Sequence, residues 1–271
     1  MALIAISGCG FGSDSSVVKV ISNISVKLCF FNPLFRALPN NKIVFHGNNK
    51  SDKEIEFAVK NNIQIIVDND HDLERLEEIS NSFNRDLEIM IRFTPGIECH
   101  THEYIRTGSF DSKFGFGIEY LNILFDRISN TKHLKLKGLH AHIGSQIFEL
   151  DPHKDLGEIM VNVILEAKKF GHEIEELNVG GGLGIKYTEN DDPPSIDEWV
   201  KTISTSVVKA CNNHNLDLPT LMCEPGRSIV STAGITIYKI GSFKEIPGIR
   251  TYLSVDGGMS DNPRPITYQS N

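Results

Sequence analysis

Two glycine-bearing stretches carry the chemistry most plainly. Asn178-Val179-Gly180-Gly181-Gly182-Leu183-Gly184 follows an apolar run, Ile174 to Val179, that reads as a buried strand. Four glycines in five positions expose backbone N–H groups and permit positive φ. That suits a phosphate, whose oxygens accept several such donors at once. A tight strand-to-helix turn has the same composition, and the glycines alone leave both readings open. The second stretch, Cys223-Glu224-Pro225-Gly226-Arg227, also follows an apolar run. It adds an acid, a bare glycine and a guanidinium. Glu224 at an apolar strand end needs a partner. That partner is either Arg227, in a structural ion pair, or a ligand ring nitrogen that the acid keeps protonated.

Histidines offer a second chemistry. His140 and His142 stand two apart in a predicted strand, so both side chains face one side. His100 and His102 have the same spacing in a loop. Either pair could begin a metal site, but no cysteine or carboxylate cluster accompanies them, and no metal is expected. Ile143-Gly144-Ser145 gives His142 another use. A flat ring there can stack on a heteroaromatic ligand while Ser145 donates to its phosphate. The stretch Thr107 to Gly115 is polar, glycine-punctuated and longer than a simple connector. Glu189-Asn190-Asp191-Asp192 reads as a solvated loop ahead of a capped helix.

The elements that must position these residues alternate in type. Strands are predicted at Ile43–Phe45, Ile63–Val67, Glu88–Phe93, Leu134–Ile143, Ile174–Val179 and Leu218–Cys223. Helices are predicted from the Ser51/Glu54 capping box to about Asn61, over Asp70–Phe83 and Tyr120–Ile128, from Asp155, and from the Ser195/Glu198 capping box to about Cys211. Strand and helix alternate roughly seven times, which predicts parallel strands covered by helices. The count and length favour an α/β (β/α)8-type barrel over an open sheet. After Arg227 the rhythm changes: Ile235–Tyr238, Ser242–Lys244 and Arg250–Val255 read as short strands without helices. The expected division is a barrel domain over 1–232 and the beginning of a β-rich domain over 233–271. Barrels commonly hold phosphates in the loops after their last two strands, where Gly180–Gly184 and Glu224–Arg227 fall. Residues 1–42 are the least readable part.

Bulk properties narrow the class. The 271 residues are 40% hydrophobic and 23% charged, as in a soluble globular protein that buries a sizeable core. A net charge of -8 argues against nucleic acid as a partner. The five scattered cysteines argue against a disulfide framework or zinc cluster and for a reducing compartment. No apolar run approaches a membrane span, and the apolar start has no basic residue before it to make a secretory signal.

Taken together, these residues resemble the diaminopimelate decarboxylases, of the alanine-racemase-like class of pyridoxal-phosphate enzymes. The resemblance runs in family order from about Lys42 to the end. It is carried by Phe45-His46-Gly47-Asn48-Asn49-Lys50, Arg92 to Gly96, His100 to Tyr104, Thr107-Gly108 with Ser112 to Gly115, and Gly138 to Gln146. It continues through Gly180–Gly184, Glu224–Arg227, Val255 to Met259 and Asp261 to Pro265. The family implies a barrel plus a β domain, a homodimer, and loss of carbon dioxide from meso-2,6-diaminoheptanedioate to give L-lysine. By its pattern, His142 would stack on the pyridoxal phosphate ring. Ser145, Gly181, Gly182, Gly184, Gly226 and Arg227 would hold its phosphate, and Glu224 would pair with the pyridinium nitrogen. Arg227, Arg264 and Tyr268 would bind substrate carboxylates. The compartment implied is the cytoplasm, or the plastid stroma in a plant.

The chain also departs from the family pattern. The lysine that forms the family's Schiff base lies before Gly8-Cys9-Gly10-Phe11, which here almost begins the chain. Lys19 falls on the wrong side of that segment. The expectation is a match to the middle of the enzyme, lacking the first barrel strand and impaired on its own. Two alternatives stand beside it: a non-catalytic relative that regulates a complete subunit, and a metal-dependent barrel hydrolase using His140 and His142.

Overall fold

A computed structural model describes residues 21–22, 24–25, 39–97 and 112–263. Its strands are β1 (Ile21–Ser22), β2 (Ile24–Ser25), β3 (Ile43–Phe45), β4 (Gln64–Val67), β5 (Leu87–Thr94), β6 (Phe116–Gly117), β7 (Leu134–His140), β8 (Glu176–Asn178) and β9 (Thr220–Cys223). They form one sheet, ordered β1-β9-β8-β7-β5-β4-β3-β2, with β6 beside β5. Every pairing is parallel. The two edge segments are neighbours in the chain: β1 borders β9 and β2 borders β3. The sheet therefore curls until its edges meet at Ile21–Ser25, the geometry of a barrel.

Helices cover the outside because their sequences carry one apolar face each. They are α1 (Asp52–Lys60), α2 (Asp70–Phe83), α3 (Leu121–Ser129), α4 (Asp151–Lys169), α5 (Ile196–Asn213) and α6 (Gly226–Val230). Both predicted capping boxes form: Ser51 and Glu54 open α1, and Ser195 and Glu198 open α5. The Asn69 side chain caps α2, and Asn84 ends it in a left-handed conformation at φ 48. Strand residues on the inner and helix-facing sides are both buried, as in β5 and β7. This explains why their sequences read as apolar runs.

Some boundaries differ from expectation. The strand predicted over Leu134–Ile143 ends at His140, because the chain turns away there to form the loop that carries His142. Helix α4 begins at Asp151, not Asp155. Pro152 sits in its first turn, where a missing N–H leaves no hydrogen bond unmade. Ile235–Tyr238 is not a strand: it has no pairing partner among the described residues, and Ile235 is 85% exposed. The β-rich tail is an antiparallel hairpin, β10 (Ile240–Ile246) and β11 (Arg250–Val255), outside the barrel core. Val17–Phe35 lies outside the described residues apart from β1 and β2.

Candidate active site

The carboxyl ends of β3, β4, β5, β7, β8 and β9 converge on a polar ring inside the barrel mouth. Each strand delivers a polar side chain near its carboxyl end: His46, Asp68, Arg92, His140, Asn178 and Glu224. His140 and Asn178 are fully buried. The imidazole of His46 meets that of His140 edge to face, with ring centroids 4.6 Å apart. His140 Nε2 lies 3.5 Å from Glu224 Oε2. Neither ring nitrogen of His140 has a hydrogen-bond partner among the described residues. Arg92 pairs with Asp68 at 3.5 Å, and its guanidinium lies 4.4 Å from the Phe114 ring centroid.

Electrostatics hold the histidines neutral. Burial, then Arg92, pushes the His140 pKa well below its ordinary value. Burial and the neighbouring His140 do the same to His46. His142 falls to about 3, chiefly through burial and then through Arg92. Burial also raises Cys223 to about 12, with Glu224 adding to the shift, so its thiol stays protonated.

The two opening loops are in direct contact. Glu224 N–H donates to Gly180 O at 2.6 Å, and Gly226 N–H donates to Glu224 O at 2.7 Å. A Cβ on Gly181 would stand 2.3 Å from Glu224 O, so only glycine allows this approach. Gly182 lies at φ +107, a conformation that side chains disfavour. Gly181 N–H donates to His142 Nδ1 at 3.1 Å, which leaves the neutral ring its proton on Nε2. Gly184 N–H donates to Ile147 O at 3.0 Å and packs against the Phe148 ring. The Arg227 guanidinium reaches Ser145 Oγ at 2.6 and 3.1 Å and Tyr187 Oη at 2.7 Å.

The structure thus gathers His142, Ser145, Gly181, Gly182, Gly184, Glu224, Gly226 and Arg227 in one mouth. Within the described residues the Glu224 carboxylate faces Asn178 and His140, while Arg227 turns to Ser145 and Tyr187. His140 and His142 do not share a ligand cluster. Among the described residues, the group with metal-ligand spacing is His46, His140 and Glu224, with atoms within 4.8 Å. His100, His102, Thr107, Gly108, Arg264, Tyr268 and Lys19 lie outside the described residues. Sequence reasoning gave no site role to His46, Asp68, Arg92 or Asn178. Their signal was a polar residue at the carboxyl end of an apolar strand.

The residues suit a phosphorylated heteroaromatic ligand. A glycine cradle that a single Cβ would fill abuts a carboxylate backed by neutral imidazoles. A hydroxyl and a guanidinium stand at the outer edge. Fold and site together define an α/β barrel with a contacting pair of loops, one glycine-rich, at the carboxyl ends of β8 and β9. Residues 33–231 match the model of the pyridoxal-dependent decarboxylase pyridoxal-binding domain, and the chain belongs to that family. It is 56% identical over 229 residues to a diaminopimelate decarboxylase of Synechocystis sp., covering 84% of this chain and 49% of that one. It is 40% identical to the Bacillus subtilis diaminopimelate decarboxylase, covering 86% of this chain and 54% of that one. The Helicobacter pylori diaminopimelate decarboxylase, solved with L-lysine, superposes with a TM-score of 0.78 at 31% identity, over 88% of this chain and 58% of that one. This chain spans about half the length of the curated relatives it matches.

Proposed function

We propose that the protein is a pyridoxal-phosphate-dependent carboxy-lyase that converts meso-2,6-diaminoheptanedioate to L-lysine. The observation that carries this reading is the close approach of Gly181 to the Glu224 backbone, which supports a site where the glycine loop would cradle the cofactor's anion and Glu224 would face its ring. Ser145, Gly181, Gly182, Gly184, Gly226 and Arg227 would hold the cofactor phosphate. His142 would stack on the ring, its imidazole kept uncharged by burial and by Arg92. Glu224 would hold a proton on the ring nitrogen. When bound, the cofactor supplies an electron sink for the pair left behind as carbon dioxide departs. The chain's own contribution is to bind, to orient and to keep that nitrogen protonated. Release of Gly181 N–H from His142 Nδ1 would free both a phosphate donor and the ring face. Arg227 would also meet a substrate carboxylate, its planar fork matching two oxygens.

Within this reading, residues 1–232 form the cofactor-binding domain and 233–271 open a β domain. The working unit is a homodimer in the cytoplasm, or in the plastid stroma of a plant. No helix of the described residues is long and apolar enough to cross a membrane. Purified protein with added pyridoxal phosphate is assayed for L-lysine and carbon dioxide from meso-2,6-diaminoheptanedioate. Lysine formation that is lost in Glu224→Gln supports the reading. A protein that leaves the absorbance of added pyridoxal phosphate unchanged overturns it.

A further inference from the structure

We propose that Asn178 is a positioning residue, whose buried carboxamide ties the Glu224 carboxylate to the glycine loop so that the acid and the anion cradle hold one fixed separation. The proposal rests on the reading of Glu224 as the partner of the cofactor's ring nitrogen. Asn178 is the last residue of β8 and has no exposed surface. Its Nδ2 donates to Glu224 Oε1 at 2.8 Å, and its Oδ1 accepts from Gly180 N–H at 3.0 Å. One planar group therefore fixes both halves of the site, and an amide is the side chain that can donate and accept in one plane. The backbone repeats the link: Val179 N–H donates to Met222 O at 3.0 Å, and Glu224 N–H donates to Gly180 O at 2.6 Å. On the other side of the carboxylate, His140 Nε2 stands 3.5 Å from Oε2 and has no hydrogen-bond partner among the described residues. Asn178 thus holds Glu224 from behind, with the neutral His140 ring packed beside it. Oε1 accepts from Asn178, and the Glu224 side chain keeps 11% exposure. A carboxylate with a charge-assisted donor at a fixed place loses little freedom when a cationic N–H docks on it.

The test uses 15N-labelled pyridoxamine 5'-phosphate, which binds without a covalent link. The nitrogen shift of the bound ring is followed against pH, and affinity is read by fluorescence titration. Asn178→Leu, similar in volume but without polar atoms, is expected to weaken ring-nitrogen protonation and binding about tenfold each. In a Glu224→Gln background the same substitution is expected to leave ring protonation unchanged, because Asn178 acts through Glu224. Asn178→Thr, whose β-branched side chain suits a strand and cannot reach both partners, replaces the leucine variant if that fails to fold. Unchanged ring protonation in a folded Asn178 variant, while Glu224→Gln shifts it, overturns the proposal alone. If Glu224→Gln itself shifts nothing, the reading of Glu224 falls with it. Equal losses in both backgrounds also overturn the proposal, since they mark a structural role.

Discussion

A methyl group is the smallest change that tests the contact between the two loops. Gly181→Ala would set its Cβ 2.3 Å from Glu224 O, a backbone atom that cannot swing aside. The variant is expected to lose about 1–3 kcal/mol of stability and to bind pyridoxal phosphate weakly, checked by urea unfolding and absorbance titration. Glu224→Gln keeps the shape of the acid and removes its charge. Under the proposed function, a loss in decarboxylation on the order of 10²-fold or more is expected, measured as carbon dioxide release at saturating substrate. A buried lysine offers a contrast that bears on folding. Lys50 Nζ sits 2.5 Å from Asp72 Oδ2 and 2.6 Å from Gly47 O, with both charged side chains out of water. Burial lowers the Lys50 pKa and Asp72 opposes the shift. Lys50→Met leaves Asp72 with Arg75 as its remaining charged partner. It is expected to cost about 3 kcal/mol, read from the urea midpoint.

Helices α4 and α5 pack beneath the glycine loop through a histidine and a tryptophan. The His153 ring meets Trp199 edge to face at 5.6 Å, and both side chains are fully buried. Neither nitrogen of His153, nor Trp199 Nε1, has a hydrogen-bond partner among the described residues. Burial holds His153 down at about 4. Between pH 6.5 and about 4 the unfolded chain therefore takes up a proton that the folded chain refuses. Stability is full above pH 6.5 and falls as pH drops through that window, by up to about 1.4 kcal/mol per pH unit for one histidine. His142, at about 3, acts in the same direction and extends the window downward. His153→Leu is expected to flatten the decline, which urea unfolding at pH 7 and pH 5 would show. An unchanged slope would mean that the His153 site admits protons or water.

Across the whole molecule the barrel and the hairpin differ in how they treat apolar surface. The barrel buries most of its large apolar side chains, Phe93, Phe125 and Trp199 among them. In the hairpin, Phe243 and Leu253 face each other across β10 and β11 at 72% and 59% exposure, with Ile249 at 69%. Contiguous apolar surface of this kind is removed from water by association. The chain is expected to sediment with concentration-dependent mass, and Phe243→Ser with Leu253→Ser to move it toward the monomer. Concentration-independent monomer before substitution would show that the hairpin is covered in another way.

Short-range chemistry was legible along the chain. Asp70–Phe83 matches α2 residue for residue, and both capping boxes form, because a cap and an apolar stripe lie within a few turns of one another. The contact of the glycine loop with Glu224–Arg227 was likewise foreshadowed, because both loops follow adjacent buried strands. What depended on tertiary structure was partnership. Glu224 was readable as an acid in need of a partner, but Arg227 turns to Ser145 and Tyr187, and Asn178 takes the carboxylate instead. His140 and His142, two apart in sequence, part company where β7 ends, and His140 joins His46 from β3. Such pairings are set by which strand ends the barrel brings together, across separations from 40 residues for Tyr187 and Arg227 to 94 for His46 and His140. Local composition determines what each residue can do; closure of the sheet decides which residues do it to one another.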